Sequence, residues 1–467
     1  MLIRDQAHDI FAKLQRHSTA DELELLIAGS RSALTRFANN TIHQNMEEES
    51  QHISVRVSFG GRTARATTNK YDDESLRRVV QSAEALAKVQ RDDPDLLPMP
   101  TPQEVVQNAA EAGAAPVQRY FERTAALAPQ DRAAAVARMV GVAQQHALTC
   151  AGFFSSSQVA EGIFNSRSVT DWHEQTLAEV SITMLDDTSS GWQKANSPDV
   201  ARLNPVRMAE IAARKAIASR NPIELPPGKY TVVLEPSAVL DAVGFMFWDF
   251  GGSALLEQRS FLNDRIGTQL FGPNITVWDD VYHPLQAGVP FDGEGMKRHR
   301  VKLIEDGIVR AVTYARSSAQ RMHHSEIANQ VGPITPTGHG FSLPNEIGEA
   351  PMNLVFSGPE AGRAQSVEQM IAATERGILV TRLWYIREVD PYEKMLTGMT
   401  RDGTFLVENG RIRGGIRNFR FNESLIHMLQ NVEAMGEPVR ASGEESMDMV
   451  VPAMKVRDFN FTETTKF

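Results

Sequence analysis

A single cysteine, Cys150, excludes any intrachain disulfide framework and fits a reducing compartment. No apolar run approaches the eighteen or so residues that span a bilayer, and Met1-Leu2-Ile3-Arg4-Asp5-Gln6 lacks the apolar centre of a signal peptide. The cytoplasm is therefore the expected location, with no membrane partner. Excess positive charge is missing too. A net charge of -10 with dispersed lysine and arginine argues against a nucleic-acid partner, because phosphate contacts need clustered cations. The basic clusters Lys297-Arg298-His299-Arg300 and Arg411 to Arg420 read as solvated strand edges or subunit contacts. There is no H-E-x-x-H, no G-x-S-x-G elbow and no phosphate-binding loop.

What remains is an ordinary globular composition, 42% hydrophobic and 23% charged over 467 residues, enough for two or three cores. The first region predicts a leading helix through Leu14, strands Glu22 to Ala28, Gln51 to Phe59 and Arg62 to Thr68, then a helix from Asp73 to Val89 capped by Asp72 or Asp73. Proline-spaced residues from Asp93 to Pro102 read as a linker. The second region predicts helix Pro129 to Leu148, strands Ala151 to Gln158, Ala160 to Asn165 and Ala178 to Leu185, and helix Pro205 to Ala218. After Pro222 to Gly228, short strands dominate, with helices near Ser237 to Phe250, Ser366 to Arg376 and Glu423 to Asn431. The expected fold class is α+β: mixed α/β regions followed by a β-rich C-terminal domain. The expected divisions are 1–92, a linker over 93–110, 111–221 and 222–467.

The most informative stretch is Leu240-Asp241-Ala242-Val243-Gly244-Phe245. It follows the apolar strand Tyr230 to Leu234 and opens after Glu235-Pro236-Ser237, where proline suits a first helical turn. Val239, Leu240, Val243, Phe245, Met246, Phe247 and Trp248 make it apolar on nearly all sides, as in a buried helix. Gly251-Gly252 is its expected end.

Several ordered motifs accompany it. They are Ile53 to Val57 with Gly60 to Ala64, Pro290-Phe291-Asp292-Gly293-Glu294-Gly295, Thr337-Gly338-His339-Gly340 leading to Asn353-Leu354, Thr404 to Ile412, and Arg417 to Asn422. Together, from Glu22 to Thr464, they resemble the TldD/PmbA family, called modulators of DNA gyrase and regarded as zinc metallopeptidases that act as two-subunit complexes. The active subunit of that family carries H-E-A-V-G-H after such a strand. Aligned on Ala242-Val243-Gly244, its histidines fall on Leu240 and Phe245 and its glutamate on Asp241. Neither leucine nor phenylalanine can donate a lone pair to a metal. The family's third ligand is a cysteine near the C-terminus, and Ala441 to Phe467 contain none.

The resemblance thus implies a chain of the non-catalytic TldE/PmbA type, with no cofactor of its own and zinc in a TldD-type catalytic partner. A homodimer that binds peptides without proteolysis is the alternative. A weaker one is an active enzyme with relocated ligands among His323, His324, Glu326 and His339. Adjacent histidines on an extended segment face opposite ways, which works against joint coordination. Asp241, the only ionisable residue between Ser237 and Phe247, is expected to be structural, in a salt bridge or cap. Cys150 is expected to be a small buried hydrophobe rather than a nucleophile. A peptide substrate would add to a sheet edge, and Arg401-Asp402-Gly403, read as a turn, makes Thr381 to Ile386 and Thr404 to Val407 the candidate edges.

Overall fold

The computed structural model describes residues 2–112 and 117–465; residues 113–116 of the expected central region lie outside the described residues. Helix α1 (Arg4–His17), strands β1 (Glu22–Ala38), β2 (Thr41–Phe59) and β3 (Arg62–Thr68), and helix α2 (Asp73–Val89) come first. Asp72 caps α2 by accepting the Ser75 N–H at 2.9 Å. The apolar stripe Leu76, Val79, Val80, Ala83 and Ala87 then buries one face of α2 with α1 and the sheet. The two expected strands of this hairpin are only its core-facing halves. Beyond them β1 and β2 continue to Ala38 and back from Thr41, a stretch of β2 with no buried face and so no alternation to read.

Helix α3 (Pro102–Ala112) occupies much of the stretch 93–110 expected to be a linker and runs two residues beyond it. It docks where Asn108 Nδ2 meets His299 Nε2 at 2.7 Å and donates to Pro336 O at 3.1 Å. Helices α4 (Glu122–Ala125) and α5 (Pro129–Gln145) lead into strands β4 (Thr149–Asn165), β5 (Thr170–Leu185) and β6 (Ser190–Ser197), then helix α6 (Pro205–Ala218). One strand, β4, replaces the two expected before Asn165. It pairs with β1 from Glu24↔Asn165 to Phe37↔Gly152, so one antiparallel sheet, ordered β3-β2-β1-β4-β5-β6, runs through both N-terminal regions. Cys150 is fully buried under α5 and α6, and burial pushes its thiol up to about 11, which removes it as a nucleophile near neutral pH.

The C-terminal part begins with strand β7 (Gly228–Leu234) and helix α7 (Pro236–Val243). Helix α8 (Gly252–Leu256), strands β8 (Val277–Asp279), β9 (Val301–Glu305) and β10 (Ile308–Val309), helix α9 (Arg316–His323) and strand β11 (Leu354–Phe356) follow. Next come helix α10 (Val367–Ala372), strands β12 (Arg376–Asp390), β13 (Met395–Glu408), β14 (Arg411–Gly415) and β15 (Phe419–Ser424), and helix α11 (Leu425–Gln430). Strands β16 (Val432–Met435), β17 (Val439–Ala441), β18 (Met449–Val451) and β19 (Met454–Thr464) complete the described chain.

The pairs β12–β7, β7–β19, β19–β15, β15–β13 and β13–β12 return to their start, so these five strands close a barrel. A second sheet, ordered β10-β9-β8-β11-β18-β17, stands beside it. The α+β expectation with a β-rich C-terminal part holds. Helix α7 packs against β12 of the barrel and touches β17 and β18 of the second sheet, which places it in the largest apolar core.

Arg401-Asp402-Gly403 is not a turn. It lies inside β13, where Asp402 at φ 52° and Gly403 at φ 124° interrupt the pairing with β12. Asp402 is held there by a buried ion pair with Arg382 and accepts the Ser190 hydroxyl at 2.7 Å. The Lys297 to Arg300 cluster is likewise absorbed within the chain, Lys297 on Asp171, Arg300 on Asp280 and His299 on Asn108. No helix among the described residues is long and apolar enough to cross a membrane.

Candidate functional site

Helix α7 starts as its sequence requires, with Pro236 in the first turn after Glu235. It ends seven residues earlier than expected. After the Gly244 N–H bonds to Leu240 O in helical register, the Phe245 and Met246 N–H groups bond to Ala242 and Val243, and a separate short 3₁₀ turn covers Phe247–Asp249. Gly244 is required by packing: a Cβ there would lie 1.8 Å from Ser446 Oγ and 2.3 Å from Ser446 Cβ. Trp248 leaves the core, is 46% exposed and stacks on Phe341.

Leu240 is fully buried in the main core and Phe245 packs against that core from its edge. Asp241 is fully buried between them in sequence, and among the described residues neither a salt bridge nor a helix cap engages it. Its Oδ1 accepts the backbone N–H groups of Glu444 and Glu445, each at 3.2 Å, and its Oδ2 has no hydrogen-bond partner among the described residues. Burial pushes its carboxyl up to about 7, against the opposing pull of those two N–H groups and of Arg382.

The segment from Ser442 to Asp448 therefore lies over α7, and several elements hold it there. Ser237 donates to Ser442 O at 3.0 Å, Lys194 to Gly443 O at 2.9 Å, and Asn196 to Asp448 Oδ2 at 2.6 Å. The Glu445 carboxylate accepts the N–H groups of Tyr385 at 2.7 Å and Ile386 at 3.3 Å. Tyr385 sits at φ 56°, a left-handed conformation that this carboxylate supports. Gly443 is as constrained as Gly244, since a Cβ would come within 2.2 Å of Asp241 Oδ1. Gly244→Ala is expected to cost about 1–3 kcal/mol by overpacking, and pairing it with Ser446→Gly is expected to recover most of that loss in denaturant unfolding. An equal cost with and without Ser446→Gly would mean that the segment does not rest on α7.

This packing corrects the expected peptide edges. Thr404 to Val407 face β12 on one side, and Phe405 to Val407 face β14 on the other. On β12, the Tyr385 and Ile386 N–H groups that a peptide would use are taken by Glu445.

The alternative histidines do not meet. His323 and His324 are exposed at the end of α9, as is Glu326 just beyond. His339 is 1% exposed, with Nε2 2.9 Å from Asp279 Oδ1 and Nδ1 3.0 Å from Thr337 Oγ1. The Thr337–His339–Asp279 chain has the outline of a nucleophilic triad. However, Thr337 Oγ1 already accepts the Tyr314 N–H and all three side chains are buried. The Pro290 to Gly295 and Thr337 to Gly340 motifs form one scaffold, where Asp292 accepts the N–H groups of Glu294, Met296 and Gly340. Burial beside Glu294 pushes Asp292 up to about 7.

A zinc ion of the kind the family implies does not fit at α7. The two outer positions offer hydrocarbon, the carboxylate is committed to a backbone, and among the described residues no three His, Cys, Asp or Glu side chains are grouped to hold a metal. Sequence reasoning missed Lys194, Asn196, Glu445 and Ser446; only the paired Gly244 and Gly443, each too tight for a side chain, hint at the contact.

The candidate site is thus a strand-to-helix motif in the largest core, between a five-stranded barrel and a second sheet and covered by a C-terminal segment. The chain belongs to the PmbA/TldD metallopeptidase family: residues 227–463 match its C-terminal domain and residues 23–87 its domain 1. The metalloprotease PmbA of Escherichia coli O157:H7 is 22% identical over 422 residues, covering 86% of this chain and 85% of that protein. The crystal structure of TldE from Thermococcus kodakarensis has a TM-score of 0.83 at 18% identity, covering 98% of this chain and all of that one. A Thermotoga maritima structure described as a modulator of a DNA gyrase gives 0.81 at 18% identity, covering 98% of this chain and 99% of that one.

Proposed function

We propose that this chain is the non-catalytic subunit of a peptide-degrading or peptide-processing metallopeptidase complex, whose zinc centre belongs to a TldD-type partner chain. The observation that carries the reading is the state of α7, where Leu240 and Phe245 are core hydrocarbon and Asp241 anchors the Glu444–Glu445 backbone. Helix and segment pack as a structural unit, and packing stands where the family's active subunit has chemistry. Its likeness in fold to a structure named TldE accords with this role. The peptide would be held mainly by the partner, since the edges expected to take it here are already engaged. A buried, unpaired Cys150 accords with a cytoplasmic setting.

The test is hydrolysis of short unfolded peptides by the chain alone, by a zinc-bearing homologue from the same source, and by the two mixed. No cleavage by this chain alone, with clear stimulation on mixing, is expected. Chelator-sensitive cleavage by this chain alone would overturn the proposal.

A further inference from the structure

A cavity of about 550 Å³ opens where the β5–β6 turn and the end of α6 meet β13 and residues 416–418 of the barrel. Its size is that of a small-molecule pocket, and the meeting of two regions is where such pockets form. Short hydroxyl and amide side chains make up much of its wall. Ser189 donates to Ala216 O at 2.7 Å, Ser190 to Asp402 Oδ1 at 2.7 Å and Ser219 to Lys215 O at 2.8 Å. Thr404 donates to Asn418 Oδ1 at 2.9 Å. A hydroxyl that has given its proton keeps lone pairs, so these four oxygens serve a ligand as acceptors.

Asn418 supplies the opposite function. Its Oδ1 also accepts the Thr400 hydroxyl at 3.3 Å, and the two bonds fix which way the amide is turned. Nδ2 is left as a donor with no partner among the described residues. Thr188 Oγ1 accepts the Asn221 N–H at 3.1 Å and keeps its own proton to give. Charge, by contrast, is balanced within the chain: Asp402 is paired with Arg382, and Arg417 lies 3.8 Å from Glu224. An anion would need an unopposed cation and a nucleobase an aromatic face, and the described residues lining the cavity offer neither. Leu185, Pro222 and Ile416 give it aliphatic surface instead.

The backbone is distorted at this same wall, where Asp402 and Gly403 leave the extended conformation of β13. Thr381, against Gly403, is fully buried and its hydroxyl has no partner among the described residues, so the distortion does not serve hydrogen bonding in the core. Irregular backbone of this kind gathers at ligand sites. We propose that the cavity binds a neutral, hydroxyl-rich ligand of the mono- or disaccharide class. Each sugar hydroxyl both donates and accepts, which matches two donors set among four acceptors, and the C–H face of the ring matches the aliphatic surface. The site shares no residue with α7 or with segment 442–448, so it stands apart from the peptidase reading.

The test is saturation-transfer NMR on the full chain with glucose, maltose and trehalose, each at about 10 mM, roughly ten times a Kd of about 1 mM, and with lysine and glutamate as charged comparisons. Transfer to at least one sugar and to neither amino acid is expected. Thr188 is exposed, and Thr188→Trp is expected to fill the cavity and abolish the transfer with an unchanged melting temperature. Asn418→Asp, which turns the free donor into an acceptor while keeping an oxygen for Thr400 and Thr404, is expected to weaken binding about tenfold, the loss of one good hydrogen bond. Transfer to none of the sugars would overturn the proposal. So would equal transfer to lysine or glutamate, or sugar signals that persist in folded Thr188→Trp.

Discussion

Asp241→Asn is expected to remove a fall in stability that the wild type shows between about pH 4 and pH 7. Burial raises the folded-state carboxyl from 3.8 to about 7. Below the lower value Asp241 is protonated in both states and costs nothing. As pH rises, the unfolded chain releases its proton while the folded chain retains it, so stability is lost until the folded carboxyl ionises. Three pH units at 1.36 kcal/mol each set the loss at roughly 4 kcal/mol. Asparagine keeps an oxygen for the Glu444 and Glu445 N–H groups and does not titrate. Asp292 also titrates near 7, but it is present in both proteins and cancels in the difference. Urea unfolding at pH 4, 5.5, 7 and 8 measures that difference. A value independent of pH would mean that Asp241 is hydrated rather than enclosed by the Ser442 to Asp448 segment.

His339→Ala is expected to destabilise the protein by about 3–5 kcal/mol at pH 7, the cost of leaving one partner of a buried pair without the other. Both side chains are fully buried. Burial alone would raise the Asp279 carboxyl, but His339, Arg298 and the Asn353 N–H outweigh it and hold the group below its ordinary range. Its second oxygen accepts the Met352 and Asn353 N–H groups at 2.7 Å each. A carboxyl depressed on folding contributes stability above its ordinary range that is lost as pH falls, so the wild type loses part of its advantage over the variant in acid. A cost under about 1 kcal/mol at pH 7 would place the residue with ordinary surface substitutions. In that case His339 would be free for other work, metal binding included.

The parts of the fold legible in the sequence are those set by local chemistry. Asp72 fixes the start of α2, and Pro205 that of α6, because a side-chain oxygen and a proline each decide where a helix begins. β3 was equally plain from the Gly60-Gly61 turn and the alternation after it. That Leu240 and Phe245 offer no metal donor needed only the identity of the side chains.

What was not legible depends on distant partners. The need for glycine at position 244 comes from Ser446, some two hundred residues later, whose side chain takes the space beside it. The closure of the barrel through β12 and β13 leaves no local mark, and it is why edges that looked available are paired. The outer half of β2 was invisible because a strand exposed on both faces has no hydrophobic period.

The central claim is that the chemistry at α7 has been replaced by packing, and the most direct measurement is metal content per chain on protein purified without a metal-binding tag. Zinc far below one per chain is the expected result, unchanged by Asp241→Asn. About one zinc per chain, the stoichiometry of a single catalytic site, would contradict the account and make His323, His324 and His339 the first residues to replace.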